Sequence, residues 1–369
     1  MDYHFNGEEN VDSPSLIFYQ DIIEENIGKA IKLAGGAHRL WPHVKTHKTK
    51  NIIKLQIERG IRRYKCATIA EAEVCAMMEA EHVLLAYPLV GPAIKRFLNL
   101  VDNYPDSCFW AIGDDLEQLT ILGKAAIETN KSAINTLIDV NLGMDRTGVL
   151  PNLLEDFYYK AVKIEGLNIQ GFHCYDGHIT NKDFNERCKI VNSVTRNIWE
   201  TKKSIENKGY KIPVIVMGGT PTFPCHKDTP DIFLSPGTFF IQDYGYYSKY
   251  SDLDFTPGAA VLSRVISHPK NGLFTLDAGC KAITCDTSIE QPLKGIIAGL
   301  PQAKPVFQSE EHWVWSIDET SVPPIGTVLY IIPYHICPTT ALYPNVLVIK
   351  NGKQTDTWEV SARDRKITI

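Results

Sequence analysis

The 369-residue chain lacks the features that would place it at a membrane, on nucleic acid or outside the cell. No apolar run approaches the roughly 18 residues a membrane span needs. The acidic, polar opening "MDYHFNGEENVDSP" does not read as a signal peptide. There is no excess of positive charge: the net charge is −5, so no basic face is on offer to a nucleic acid or an anionic membrane surface. The nine cysteines are odd in number and form no CxxC pair, which excludes a disulfide framework and reads as reduced thiols in a cytoplasmic setting. Low-complexity tracts and repeats of 20–50 residues are also missing, so the fold is not a solenoid or an array.

What is present is an alternation of short apolar runs with longer amphipathic ones. Eight candidate strands fall at 40–45, 63–67, 82–87, 108–112, 135–140, 167–173, 213–217 and 231–234. Several, such as "VLLAY" and "PVIVM", are apolar at nearly every position, as strands buried on both faces are. The stretch "TIAEAEVCAMMEA" opens with Thr68 three residues before Glu71, a capping-box spacing. Another, "NERCKIVNSVTRNIWETKKSIENKG", is amphipathic and ends on Gly209, a good residue to stop a helix. Eight strands alternating with helices predict a parallel α/β domain of the (β/α)8 TIM-type barrel, with an open doubly wound sheet as the alternative. After residue 255 the helical period fades. Short β-rich pieces separated by Gly, Pro, Asp and Asn predict a second, mostly antiparallel β domain. The expected division is a barrel over 15–255 and a β domain over 1–14 and 256–369, with "SLIFYQD" able to pair with the latter.

Barrel chemistry sits at the C-terminal ends of the strands. Lys45 ends the first, in "WPHVKTHKTK". A desolvated lysine there is a nucleophile for a carbonyl; the alternative is a solvated basic loop. "MGGTPT", with Gly218, Gly219 and Thr220, follows the seventh strand, and "SPGTFF", with Gly237 and Thr238, the eighth. Glycine N–H groups and threonine hydroxyls suit an anion, and a phosphate site after strands seven and eight recurs in this architecture. A lysine with a phosphate cradle points to pyridoxal 5′-phosphate. Arg146, in "NLGMDRTGV", could donate to that cofactor's phenolate oxygen, or form a structural ion pair. Tyr175, in "GFHCYDGH", could lie against its ring, or belong to the core; His178 is a further polar candidate. In "PYHICPTT", His335 and Cys337 are two residues apart, and on an extended strand both would face one way. An imidazole and a thiolate suit zinc, and a two-ligand set leaves positions for water or substrate. Taken alone, a single HxC is more often packing than a metal site.

Together these stretches resemble one family, the fold-type III pyridoxal-phosphate enzymes of the D-threonine aldolase and D-serine dehydratase group, relatives of alanine racemase. The resemblance runs nearly the whole length, through "PHVKTHKT", "YKCATIAEAEV", "DVNLGMDRTGV", "YDGH", "GGTPT", "SPGTFF", "LDAGCKAITCD" and "PYHICPTT". It implies that Lys45 is the Schiff-base lysine and that the two Gly-Thr loops hold the phosphate. It also implies that Arg146 and Tyr175 attend the cofactor ring and that His335 and Cys337 bind a divalent metal, zinc by preference. The family implies a homodimer and a small D-amino acid carrying a β-hydroxyl as substrate. A cysteine ligand favours dehydration of the D-serine type; retro-aldol cleavage of the D-threonine type is the alternative, and racemisation a third. Trp41 stands where the family usually has Arg, Tyr334 where it usually has Asn, and Asp364 where it often has Gly.

Overall fold

The computed structural model of the chain describes residues 2–129, 132–284, 286 and 294–369. The chain divides into two compact units. Its strands, in chain order, begin with β1 (Ser15–Tyr19). β2 (Arg63–Cys66), β3 (His82–Leu85), β4 (Cys108–Gly113), β5 (Ile134–Asp139), β6 (Leu167–Cys174), β7 (Val214–Met217) and β8 (Phe233–Leu234) follow. Then come β9 (Ala259–Ser267), β10 (Leu273–Leu276), β11 (Gly295–Ile297), β12 (Lys304–Gln308), β13 (Trp313–Ser316), β14 (Val328–Pro333), β15 (Asn345–Lys350) and β16 (Lys353–Glu359).

One unit comprises Ala30–Lys45, Ile52–Gly237 and Asp364–Ile369. Its strands β2 to β8 form a curled, wholly parallel sheet in sequence order. Helices fill the crossovers from β2 to β7, because parallel neighbours cannot be joined by a tight turn. The helix Ile69–Met77 starts as the sequence predicts: Thr68 accepts from the Glu71 N–H, and the Glu71 carboxylate takes the Ala67 N–H. The helix Phe184–Asn207 stops at Gly209, whose φ of +89° is costly for other residues. The expected (β/α)8 barrel is therefore met by seven paired strands. The segment 40–45 makes only isolated bridges, Leu40 with Leu234 and His43 with Lys65. Its hydrogen bonds alternate sides. Trp41 and His43 donate to Leu234 and Pro236, while Pro42 accepts from Lys65 and Val44 donates to it. Pro42 has no N–H to add to either ladder.

Inside the curled sheet Trp41 packs with Leu84, Trp110, Ile112, Leu137, Val214 and Val216. Its Nε1 donates to the Tyr64 carbonyl at 2.8 Å, and its ring meets Trp110 and Phe233 edge-on. Trp41 thus belongs to the core, a large apolar residue with its one polar atom satisfied.

The other unit comprises Met1–Lys29, Thr46–Asn51 and Thr238–Arg363. Its mostly antiparallel nine-stranded sheet runs β12-β13-β10-β9-β1-β15-β16, with β14 pairing both β9 and β11. β1, the "SLIFY" stretch, pairs with β9 and β15 here. The core joins Tyr3, Phe5, Ile17, Tyr19, Leu262, Tyr330 and Ile349. None of the eight described cysteines is in a disulfide; Cys285, in "LDAGCKAITCD", lies outside the described residues. No described helix is long and apolar enough to cross a membrane.

Candidate active site

The stretch "WPHVKTHKTK" is not a solvated loop: Trp41 to Val44, Thr46, His47 and Thr49 are buried, and Lys45 is half-buried. Lys45 is fixed through its backbone, whose N–H lies 3.3 Å from His43 Nδ1. Gly237 explains why the loop after β8 can lie against this stretch. A Cβ there would stand 2.8 Å from the His43 carbonyl oxygen, so only glycine permits the approach.

At the same strand ends, Tyr175 follows β6 and Arg146 lies in the loop after β5. The Arg146 guanidinium stands 5.1 Å from the centroid of the Tyr175 ring, a cation–π contact. Tyr175 folds back over Gly177 and Gly219: Cβ atoms would meet its phenol oxygen at 2.1 Å and its ring edge at 3.2 Å, respectively. Gly177→Ala is therefore expected to push the Tyr175 ring aside at a cost of about 1–3 kcal/mol, read as a lowered urea midpoint. An unchanged midpoint would show that the ring is not held there.

The loop after β7 is organised by Asp176. This fully buried carboxylate accepts from His226 Nε2 at 2.7 Å, from the Thr222 hydroxyl and from the Gly219 N–H at 3.0 Å. Burial pushes the Asp176 pKa up, but these partners outweigh it and hold the carboxyl below the usual range. The Gly219 N–H, expected in a phosphate cradle, is thus turned inward. Gly218 takes a left-handed φ of +82°, and the Gly237 N–H donates to Thr220 Oγ1 at 3.3 Å.

Two buried groups here were missed in the sequence. His173, on β6, binds Asp139 through Nδ1 at 2.6 Å, while its Nε2 is buried without a partner. Burial lowers the His173 pKa against the pull of Asp139. Lys65, on β2, is 2% exposed and donates to Ser235 Oγ at 2.5 Å. Burial, then the charge of Lys45, lowers its pKa to about 7. The sequence signal for each was a titratable residue near the C-terminal end of a candidate strand.

The second constellation lies in the antiparallel unit, and its geometry corrects the expectation of one strand face. β14 stops at Pro333. His335 caps the short helix Ile336–Thr340, and Cys337 is that helix's second residue. The buried Asp243 accepts the Ile336 N–H at 3.3 Å, and burial pushes its pKa up to about 6. Gly245 donates to the Tyr334 carbonyl, and a Cβ on it would come within 2.5 Å of that oxygen. His335 Nδ1 meets Asp286 Oδ2 at 2.7 Å. Burial would lower the His335 pKa, but a hydrogen bond with Cys337 and the charges of Cys337, Asp243 and Asp286 raise it to about 9. The Thr46 and Thr238 hydroxyls lie 3.2 and 3.6 Å from Cys337 Sγ. Thr238, grouped with the phosphate loop by sequence, thus also has the thiol as a neighbour. Among the described residues no set of three or more His, Cys, Asp or Glu side chains is gathered as a metal cage.

The family model for the alanine racemase N-terminal domain matches residues 20–240, and that for a putative serine dehydratase domain matches residues 258–349. The chain belongs to the fold-type III pyridoxal-phosphate family of D-threonine aldolases and D-serine dehydratases. It is 26% identical to a D-threonine aldolase from Arthrobacter sp over 361 residues, 96% of this chain and 93% of that protein. With a D-serine dehydratase from Dictyostelium discoideum it shares 24% over 396 residues, 94% and 95% of the two chains. The fold is that of a solved D-threonine aldolase from Filomicrobium marinum, with a TM-score of 0.87 at 24% identity over 96% of each chain.

Proposed function

We propose that this family member is a pyridoxal-phosphate- and metal-dependent lyase of β-hydroxy D-amino acids, of the D-serine dehydratase type. The observation that carries the reading is the assembly of Lys45, Arg146 and Tyr175 at the strand ends of the parallel sheet, beside loops that only glycine permits. Bound there, the cofactor would supply an electron sink for bond breaking at the substrate's Cα. The buried, unpartnered Nε2 of His173 and the open donors of Lys65 fit a polar ligand of this kind. The reading also takes the segment 40–45 as the eighth stave of a (β/α)8 barrel.

In this reading Lys45 would hold the cofactor's aldehyde, and its amine would serve as the base for the proton on the substrate's Cα. Arg146 orients the ring through its phenolate oxygen. The loops at Gly218, Gly219, Thr220 and Gly237, with Thr238, seat the phosphate; Gly219 does so by its backbone shape, its N–H being held by Asp176. His335 and Cys337 hold a divalent metal, zinc by preference, which supplies Lewis acidity for a hydroxyl group. Two donors there suit a cation, an imidazole and a thiol with two hydroxyl neighbours.

Aldolase cleavage is the second reading, supported by the likeness to the Arthrobacter sp enzyme. Product analysis separates the two. Incubation with D-serine, D-threonine and threo-3-hydroxy-D-aspartate is expected to give keto acid and ammonia, with no glycine. Glycine and an aldehyde would replace the first reading with the second. Activity surviving EDTA would favour a racemase, and inertness toward all three substrates would sink the lyase reading.

A further inference from the structure

Lys65 is a buried cation to which the proposed chemistry gives no task. Its ammonium has three donors, and among the described residues Ser235 is its one hydrogen-bond partner. It makes no ion pair among those residues, and donors left open in a buried site are costly. The charged groups that face it are Lys45, Asp176, Asp139 and Arg146. Both carboxylates are committed elsewhere: Asp139 to His173 and Thr147, Asp176 to His226, Thr222 and the Gly219 N–H.

The height of Lys65 in the site follows from its neighbours. Its Nζ stands 5.3 Å from the centroid of the Tyr175 ring, which Arg146 also meets, at 5.1 Å. Ser235 immediately follows Leu234, the last residue of β8, while the Gly237 turn lies two residues further on. Lys65 therefore stands at the level of Tyr175, and its partner Ser235 donates in turn to the Gly218 carbonyl at 3.4 Å. Pyridoxal-phosphate sites supply a side chain to the cofactor's ring nitrogen, typically an Asp or an Arg. With both carboxylates of this cluster taken, the buried side chain with open donors at that level is Lys65.

We propose that Lys65 faces the ring nitrogen of the bound cofactor and donates a hydrogen bond to its lone pair. The inference rests on the reading of this unit as a pyridoxal-phosphate site. A cationic donor leaves the nitrogen unprotonated, where a carboxylate would favour the pyridinium. The low proton affinity that burial gives Lys65 suits this role, because a hydrogen-bond acceptor offsets the cost of its charge.

The test titrates apoprotein with pyridoxal 5′-phosphate and with pyridoxal, following absorbance, in the wild type and in Lys65→Met and Lys65→Gln. It also records the 15N resonance of ring-labelled cofactor. Lys65→Met is expected to weaken both ligands by the same factor, on the order of tenfold for a charge-assisted hydrogen bond, with Lys65→Gln in between. The wild-type resonance is expected in the range of an unprotonated, hydrogen-bonded pyridine, and needs no variant to fold. A pyridinium resonance would overturn the proposal. So would unchanged affinities, or weakening confined to the phosphorylated ligand, which would place Lys65 at the phosphate. A shift produced by His173→Asn instead of Lys65→Met would hand the role to His173. If the wild type bound neither ligand through Lys45, the cofactor reading itself would fail, and this inference with it.

Discussion

Lys45→Ala is expected to abolish the visible absorbance of a lysine-bound cofactor and to cut turnover of a β-hydroxy D-amino acid at least about a thousandfold. On the proposed reading the variant would lose two roles at once, the covalent anchor and the base at Cα. The variant should still fold. The backbone at 41–44 is held by hydrogen bonds to Leu234, Pro236 and Lys65, and Lys45 is itself only half-buried, so trimming its side chain leaves those bonds in place. Lys48→Ala and Lys50→Ala are the controls. Both lysines belong to the antiparallel unit, and Lys48 Nζ donates to the Ala362 carbonyl. Their variants should keep the absorbance and turn over within about twofold, as substitutions away from a reacting group usually do. Lys65→Met provides the contrast: weaker binding with the lysine-bound absorbance retained. An unchanged spectrum in Lys45→Ala would remove the lysine from the chemistry.

The strands of the parallel sheet were readable because burial on both faces leaves near-continuous apolar runs, and seven of the eight expected segments became paired strands. The eighth resisted because its pairing is divided between two neighbours and interrupted at Pro42, which a one-dimensional pattern cannot weigh. Trp41 illustrates the same limit. In sequence it was an odd neighbour of a basic stretch; in the fold it fills the interior beside Trp110 and Phe233. Sequence offered candidates where a residue type announces a chemistry, as with Lys45 and Cys337. It was opaque where the role depends on partners far along the chain. Asp176 reaches His226 across fifty positions, Lys65 reaches Ser235 across one hundred and seventy, and Asp286 meets His335 across forty-nine. The proposed metal pair was read from a strand face that the fold does not use. His335 and Cys337 do not share a strand face; the chain turns at Pro333 and presents one as a helix cap and the other in the helix's first turn.

That arrangement sets the second large effect. Cys337→Ala and His335→Ala are each expected to lose bound zinc and to lower lyase turnover by about a hundredfold or more, in line with loss of a Lewis acid worth several kcal/mol. Metal content, measured by elemental analysis of the purified chain, gives a readout independent of activity, and chelation of the wild type should reproduce the kinetic loss. Asp286→Asn should act more gently. With Asp286 2.7 Å from Nδ1, the Nε2 of His335 would be the nitrogen open to a metal, and such an orienting partner is typically worth about ten- to a hundredfold in metal affinity. Thr46 and Thr238, whose hydroxyls flank Cys337 Sγ, would favour the thiolate that a metal requires, so their valine variants should weaken metal binding without eliminating it. The graded order, with the two ligands first, Asp286 next and the threonines last, separates a coordination site from a packing role. Packing would lower thermal stability in all five variants and leave the metal content of the wild type at zero.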